Sequence, residues 1–152
     1  DTTTALLAVS QSGETADTIG ALREFKRKNM TTFGIVNVVG STIARETQAG
    51  VYTYAGPEIG VASTKAFASQ LAVLALVTLF LGRQRNMSTN FCKMLAAELN
   101  AIPEKMRKVL SQHKTIRAIV RKYIKHNDFF FLGRKYNYPI IIIIASHRAD
   151  GI

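Results

Sequence analysis

The chain has 152 residues, of which 47% are hydrophobic and 20% are charged. This balance is typical of a folded globular domain and excludes a disordered chain. The one cysteine, Cys92, excludes an internal disulfide, and no early segment has the pattern of a secretory signal, so we expect a cytosolic protein.

The formal net charge of +10 raises the question of nucleic-acid binding. Eleven of the 20 lysines and arginines lie between residues 83 and 125, where Glu98 and Glu104 are the only carboxylates. These cations fall at helical spacings among apolar residues, which favours the exposed faces of amphipathic helices. We therefore expect no nucleic-acid partner, with a basic nucleic-acid-binding domain as the alternative.

The first half of the chain alternates strand and helix patterns. Residues 5–9 form an apolar run that predicts a strand, and a helical pattern follows over residues 16–25. A second strand is predicted at 32–38, a short helix through Arg45, and a third strand at 51–54. This alternation predicts an α/β fold with a doubly wound parallel sheet in three layers, covered by helices on both faces.

The second half is predicted to be mainly helical. The apolar segment 66–81 is shorter than the roughly 20 residues that cross a bilayer, so we expect a buried helix and no membrane contact. Further helices are predicted at 91–100 and 103–123, with Pro103 in the first turn of the second. Residues 128–132 read as a fourth strand. Five isoleucines at 140–144 and a polar tail then interrupt the alternation of strand and helix patterns.

The loop at residues 10–15 joins the first strand to the first helix, where parallel sheets bind ligands. A helix start offers free backbone N–H groups and a partial positive charge. Ser10, Ser12 and Thr15 add hydroxyl donors, and Gly13 allows a close backbone approach. Composition alone leaves a phosphate site and a simple helix cap equally open. The loop lacks the glycine patterns of nucleoside triphosphate and dinucleotide sites, so a monophosphate is the simpler anion.

Four segments together resemble a known family, namely residues 10–18, 37–41, 55–67 and 131–139. The first is similar to the phosphate loop of sugar isomerase (SIS) domains. The second, third and fourth agree in order and spacing with the isomerase half of glucosamine-6-phosphate synthases, also called glutamine:fructose-6-phosphate aminotransferases. The resemblance implies an SIS-type, flavodoxin-like sheet, incomplete here because the family's first strand should precede Asp1.

The resemblance also implies a function and a set of site residues. Family members are cytosolic homodimers that make glucosamine 6-phosphate from fructose 6-phosphate and glutamine-derived ammonia. Carried over by position, Ser10, Gln11, Ser12 and Thr15 bind the substrate phosphate, while Val61, through its backbone, and Ser63 line the sugar. Lys65 receives no catalytic role, because the family's Schiff-base lysine lies elsewhere. The resemblance implies no metal or cofactor.

The resemblance divides the chain into four parts. We expect a first SIS subdomain at 1–82, connecting helices at 83–127, the start of a second subdomain at 128–140 and a divergent tail at 141–152. The family's glutaminase domain and isomerase catalytic residues have no counterpart, and His147 in the tail receives no role. Enzyme activity of this chain therefore stays open, with a non-catalytic sugar-phosphate-binding regulatory module as an alternative.

Overall fold

The computed structural model describes residues 4–59, 63–126, 128–130, 132–135 and 137. The chain divides into two compact units, Asp1–Gly82 and Arg83–Ile152. The elements of the first unit are β1 (Ala5–Ser10), α1 (Ala16–Arg27), β2 (Thr31–Val36), α2 (Thr42–Glu46), β3 (Ala49–Tyr52) and α3 (Thr64–Arg83), which ends at its border. The predicted alternation of strands and helices is confirmed, with boundaries shifted by one or two residues.

The three strands form a parallel sheet in the order β1-β2-β3. Ala8 lies opposite Gly34, and Val36 lies opposite Tyr52. Because each parallel pair needs a crossover connection, α1 and α2 are carried back over the sheet between successive strands. All three strands therefore end at one edge, which receives the loops that follow them.

The core of the first unit lies between α1, α2 and one face of the sheet. Buried Ala8, Leu22, Val36 and Ile43 form its centre, and the half-buried residues packed around them are Leu6, Ile19, Ala44 and Tyr52. On the opposite face Leu7, Val9, Phe33 and Val51 are 38–46% exposed, although Ile35 is buried. Parallel sheets are normally covered by helices on both faces. Here α1 and α2 form the helical layer on one face of the sheet.

Helix α3 is present as predicted, but the prediction that it is buried is wrong for most of its length. Its buried residues are Ala66, Val73 and Leu79. By length and composition α3 could cross a membrane, and only 11% of its most apolar window is buried. A helix that is apolar all round occurs either in the core of a large protein or across a bilayer. Within the described residues, only part of its surface finds a packing partner.

The second unit contains α4 (Thr89–Leu110) and α5 (His113–Tyr123). Helix α4 is capped by Ser88, whose hydroxyl accepts a hydrogen bond from the Phe91 N–H at 3.3 Å. The predicted boundary at Pro103 is wrong, because α4 runs through it. A proline inside a helix removes one backbone hydrogen bond but does not always end the helix. The break comes at Ser111, whose hydroxyl donates to the Lys108 carbonyl at 2.7 Å.

The predicted strand at 128–132 is not formed in the residues that the structure describes there, 128–130 and 132, which have irregular backbone. Phe130 and Leu132 are 94% and 90% exposed. An apolar sequence alone therefore does not make this segment a strand. The isoleucine run, His147 and the rest of the tail lie outside the described residues.

Candidate functional site

The candidate site lies where the loops after the parallel strands meet. The loop after β1 contacts the residues after β2, because the Asn37 N–H donates to the Gln11 carbonyl at 3.2 Å. The same loop contacts the start of α2, where the Ile43 N–H donates to the Gly13 carbonyl at 3.0 Å. This edge is the usual ligand-binding position in a parallel sheet.

The 10–15 loop is folded into a tight arch by its own side chains. The Ser10 hydroxyl accepts a hydrogen bond from the Gly13 N–H at 3.0 Å and lies 3.4 Å from the Thr15 hydroxyl. The Ser12 hydroxyl accepts from the Glu14 N–H at 3.2 Å. Ser10 is buried, Gln11 and Ser12 are half-buried, and Thr15 is exposed. The structure thus brings all four residues predicted to bind phosphate into one short arch.

Gly13 is required by this arch for two reasons. Its φ angle of +68° lies in the left-handed region that side chains disfavour. A Cβ at this position would lie 2.1 Å from the Ser41 Oγ, which is itself buried without a hydrogen-bond partner. Ser41 therefore packs directly against the loop backbone. A side chain at residue 13 would push the two apart.

The helix-cap alternative for Thr15 is wrong. Thr15 is the N-cap residue of α1, yet its side chain accepts no capping hydrogen bond. The Ser12 hydroxyl bonds to Glu14, which precedes the helix, so it does not cap α1 either. Among the described residues, no side chain accepts from the first free N–H groups of α1. Those donors remain available to an anion.

Helix α2 is capped differently, by a carboxylate from the 10–15 loop. One Glu14 carboxylate oxygen accepts from the Thr42 N–H at 2.8 Å. The Thr42 hydroxyl, the Thr42 N–H and the nearby Arg45 guanidinium lower the pKa of Glu14 below its ordinary value of 4.5. An ionised Glu14 thus holds the loop against α2 and neutralises the positive end of that helix.

Helix α3 is capped by a second glutamate. The Glu58 carboxylate accepts from the Lys65 N–H at 3.3 Å and the Ala66 N–H at 2.8 Å. The nearby Ser63 hydroxyl is the largest cause that lowers the pKa of Glu58, followed by these N–H groups. Ser63 Oγ nevertheless makes no hydrogen bond of ordinary geometry and is buried. The hydroxyl thus lies beside the Glu58 carboxylate without an ordinary hydrogen bond of its own.

The three helix starts therefore differ in how their first N–H groups are bonded. Glu14 and Glu58 accept hydrogen bonds at the starts of α2 and α3, whereas no side chain among the described residues accepts from the first N–H groups of α1. Asp17 places a carboxylate in the first turn of α1, but the N–H groups there remain the donors open to an anion. Val61, the other residue predicted to contact the sugar, lies outside the described residues. No group of three or more metal-binding side chains occurs within the described part of the chain.

Sequence reasoning missed Glu14, Glu58, Ser41 and Asn37. Their contacts lie 7 to 28 residues away along the chain, so no local spacing marks these residues as caps or ties. A glutamate three residues after a capping serine is recognisable from sequence. Glu58, which lies before the segment it caps, has no such signature.

Comparison with known proteins gives a consistent picture. A family model described as the SIS domain matches residues 1–80. The glutamine–fructose-6-phosphate aminotransferases (isomerizing) of Chlorobaculum tepidum and Methanosarcina acetivorans are 46% and 42% identical over 137 and 140 residues. These alignments cover 90% and 91% of this chain but 22% and 23% of the relatives. The chain thus spans less than a quarter of these curated relatives.

A solved structure extends the comparison to the fold. The C-terminal domain of glucosamine-fructose-6-phosphate aminotransferase from Francisella tularensis is 38% identical and superposes with a TM-score of 0.84. The match covers 91% of this chain and 40% of that one. The predicted resemblance and the predicted α/β fold are both confirmed.

Proposed function

The chain belongs to the SIS domain family, and we propose that its 10–15 loop binds the phosphate group of a hexose 6-phosphate. The observation that carries the proposal is the start of α1, where Thr15 is the N-cap residue but makes no side-chain cap. A phosphate there would accept hydrogen bonds from backbone N–H groups and from the hydroxyls of Ser12 and Thr15. The Gln11 side chain can add a further donor.

The size of the expected affinity follows from these donors. A hydrogen bond to a charged group contributes about 1.5–3 kcal/mol. Three or four such bonds could hold a small sugar phosphate without a lysine or arginine, after the cost of ordering the ligand is subtracted.

We further propose that the sugar lies toward the segment before α3. Ser63 supports this, because its buried hydroxyl lacks an ordinary hydrogen-bond partner. A backbone contact from Val61 belongs to the same proposal. The relatives named for fructose 6-phosphate indicate the substrate class, so fructose 6-phosphate and glucosamine 6-phosphate are the ligands to test first.

In this proposal the chain supplies the sugar-phosphate-binding part of an enzyme of hexosamine biosynthesis. That enzyme would be a cytosolic homodimer that transfers ammonia from glutamine to fructose 6-phosphate. None of the described residues is assigned a catalytic role. The 10–15 loop would hold the substrate while groups elsewhere perform the reaction.

Ser12→Ala and Thr15→Val test the phosphate site. Each removes one hydroxyl donor, so each should weaken fructose 6-phosphate binding about 10- to 100-fold, the equivalent of one charged hydrogen bond. Calorimetric titration of the full chain measures this. Thr115→Val, at an exposed position of α5, makes the same chemical change away from the loop and should leave affinity unchanged.

Unphosphorylated fructose serves as a ligand control and should bind much more weakly than fructose 6-phosphate. If the wild-type chain binds both sugars equally, or if neither Ser12→Ala nor Thr15→Val alters affinity, the loop does not bind phosphate. Amide exchange across residues 10–18 provides a second readout. Fructose 6-phosphate should slow exchange there in the wild-type chain but not in the Ser12→Ala variant.

A further inference from the structure

The Asn37 side chain connects two loops at the carboxyl edge of the sheet. It follows β2 directly and is 9% exposed. Its Nδ2 group donates to the Gly56 carbonyl at 2.8 Å, and its Oδ1 atom accepts from the Ala55 N–H at 2.8 Å and the Thr53 hydroxyl at 3.0 Å. These partners lie 16–19 residues further along the chain.

These hydrogen bonds fix the amide in one orientation. Both lone pairs of Oδ1 are used by donors, and the Nδ2 group faces an acceptor. A flipped amide would bring its N–H groups against the Thr53 and Ala55 donors. The side chain is therefore matched to residues 53–56 at three points, namely the Thr53 hydroxyl, the Ala55 N–H and the Gly56 carbonyl.

The segment held by Asn37 has an unusual backbone. Tyr54 has a φ of +50° and Gly56 a φ of +75°. Positive φ is costly for a bulky residue such as tyrosine and persists only where surrounding contacts enforce it. The bonds from Asn37 to the residues on both sides of Tyr54 supply that enforcement. Removing the Asn37 side chain should therefore allow residues 53–56 to relax.

The same residue also reaches the 10–15 loop. The Asn37 backbone N–H donates to the Gln11 carbonyl at 3.2 Å. Beyond Gly56 the chain leads to Glu58, which caps α3 at Lys65 and Ala66 beside Ser63. Asn37 thus lies between the proposed phosphate loop and the proposed sugar segment, with hydrogen bonds toward each.

We propose that Asn37 is a positioning residue that fixes the spacing between the 10–15 loop and the segment around Ser63. It touches neither part of the ligand, but it sets how long a phosphorylated sugar must be to contact both. This inference rests on the proposed function. It predicts that removal of the Asn37 side chain lowers the affinity for a phosphorylated sugar but changes the affinity for inorganic phosphate little.

The Asn37→Ala variant distinguishes the contribution of the sugar to binding from that of the phosphate. In calorimetric titrations of the full chain, fructose 6-phosphate affinity should fall about 10- to 100-fold, because three hydrogen bonds to a strained segment are lost. Inorganic phosphate affinity should change less than about threefold, because the backbone bond to Gln11 remains. Asn100→Ala, at an exposed position of α4, is the matched control and should change neither.

Thr53→Val provides a milder test that retains the asparagine. It removes one of the three donors and acceptors around the amide, so fructose 6-phosphate affinity should fall about threefold with phosphate affinity unchanged. An equal loss of both affinities in both variants would show general damage to the loops and overturn the positioning role. Unchanged affinities would overturn it as well.

Amide exchange distinguishes failure of this inference from failure of the proposed function. The Ala55 N–H should exchange at least about tenfold faster in Asn37→Ala than in the wild-type chain, since its acceptor is gone. A wild-type chain that binds neither phosphate nor fructose 6-phosphate overturns the proposed function and the ligand spacing together. If the exchange rate of the Ala55 N–H is unchanged, the Asn37 side chain does not hold residues 53–56. That outcome overturns the positioning role whatever affinities are measured.

Discussion

The 10–15 loop and the helices α4 and α5 are the two regions that could attract an anion, and they differ in almost every physical respect. The loop contains no lysine or arginine, but its donors are held in a fixed arch. The region from residue 83 to 125 carries eleven cations, yet α5 has no buried residue. Charge is concentrated in one region and preorganised donors in the other.

The comparison shows that net charge alone is a poor guide to a binding site. Within the described residues, Lys105 and Arg107 pair with Glu98 and Glu104, and these ion pairs are exposed. Such pairs contribute little to stability, and exposed cations attract anions weakly and without selectivity. In the loop, by contrast, the donors are positioned before the ligand arrives. Under the proposed function, little reorganisation of the loop would accompany the binding of a small anion.

The strongest test of the loop is Gly13→Ala. A methyl group at positive φ costs about 1–2 kcal/mol, and contact with Ser41 adds about 1–3 kcal/mol. We expect unfolding free energy to fall by about 2–5 kcal/mol in total, and fructose 6-phosphate affinity to fall at least about 100-fold as the arch opens. Urea denaturation and calorimetric titration measure the two effects.

Gly20→Ala is the matched control for this substitution. Gly20 lies in α1, and a Cβ there has no neighbour within 4 Å. Alanine should therefore stabilise the helix by about 0.5–1 kcal/mol and leave ligand affinity unchanged. If both variants change unfolding free energy and ligand affinity equally, the tight contact between Gly13 and Ser41 is contradicted.

A smaller effect is expected from the Glu14 contact with α2. Because its pKa is lowered in the folded chain, its stabilising contribution is fully present above the ordinary value of 4.5. That contribution disappears as pH falls through the lowered folded value. Glu14→Gln should thus be less stable than the wild-type chain at pH about 6, and the difference should narrow at pH about 3.

Urea denaturation at the two pH values measures this narrowing. Glu104→Gln removes the same charge from an exposed pair in α4 and lies far along the chain from the start of α2. It serves as the control for the loss of one surface carboxylate. A Glu14→Gln difference that is constant with pH would mean that the carboxylate charge does not hold the loop against α2.

The smallest effect on ligand affinity is predicted for substitutions of the cations in α5. Replacing Lys114, Arg117 and Arg121 with alanine should change fructose 6-phosphate affinity less than about twofold, because exposed cations outside the loop act weakly through water. The same variant should lower any RNA affinity at low salt, where phosphate contacts are strongest. A tenfold loss of fructose 6-phosphate affinity would show that these α5 cations contribute to sugar-phosphate binding.

The sequence predicted the elements of the first unit well because their patterns are local. The apolar run of β1, the helical spacing of α1 and the hydroxyls of the 10–15 loop can each be recognised within a few residues. Predictions failed where the outcome depends on a partner elsewhere. Residues 128–130 and 132 have the apolar pattern of a strand but an irregular backbone, and Pro103 lies inside α4 although it has the pattern of a helix start.

The candidate site divides in the same way. Ser10, Gln11, Ser12 and Thr15 were predicted from sequence because they all lie in one short loop. Glu14, Asn37 and Glu58 were not, since each acts on backbone groups from 7 to 28 residues away. No period or spacing encodes which N–H groups lack a partner after the chain has folded.

The sequence by itself thus determined the alternation of strands and helices, the loop after β1 and the family to which the chain belongs. Only the tertiary structure decided which helix start remains free for an anion. Side chains near a helix start can cap it, bond to one another or contact a different helix, and their chemistry permits all three. The packing of α2 and the 53–58 segment against the carboxyl edge of the sheet directs the glutamates away from α1.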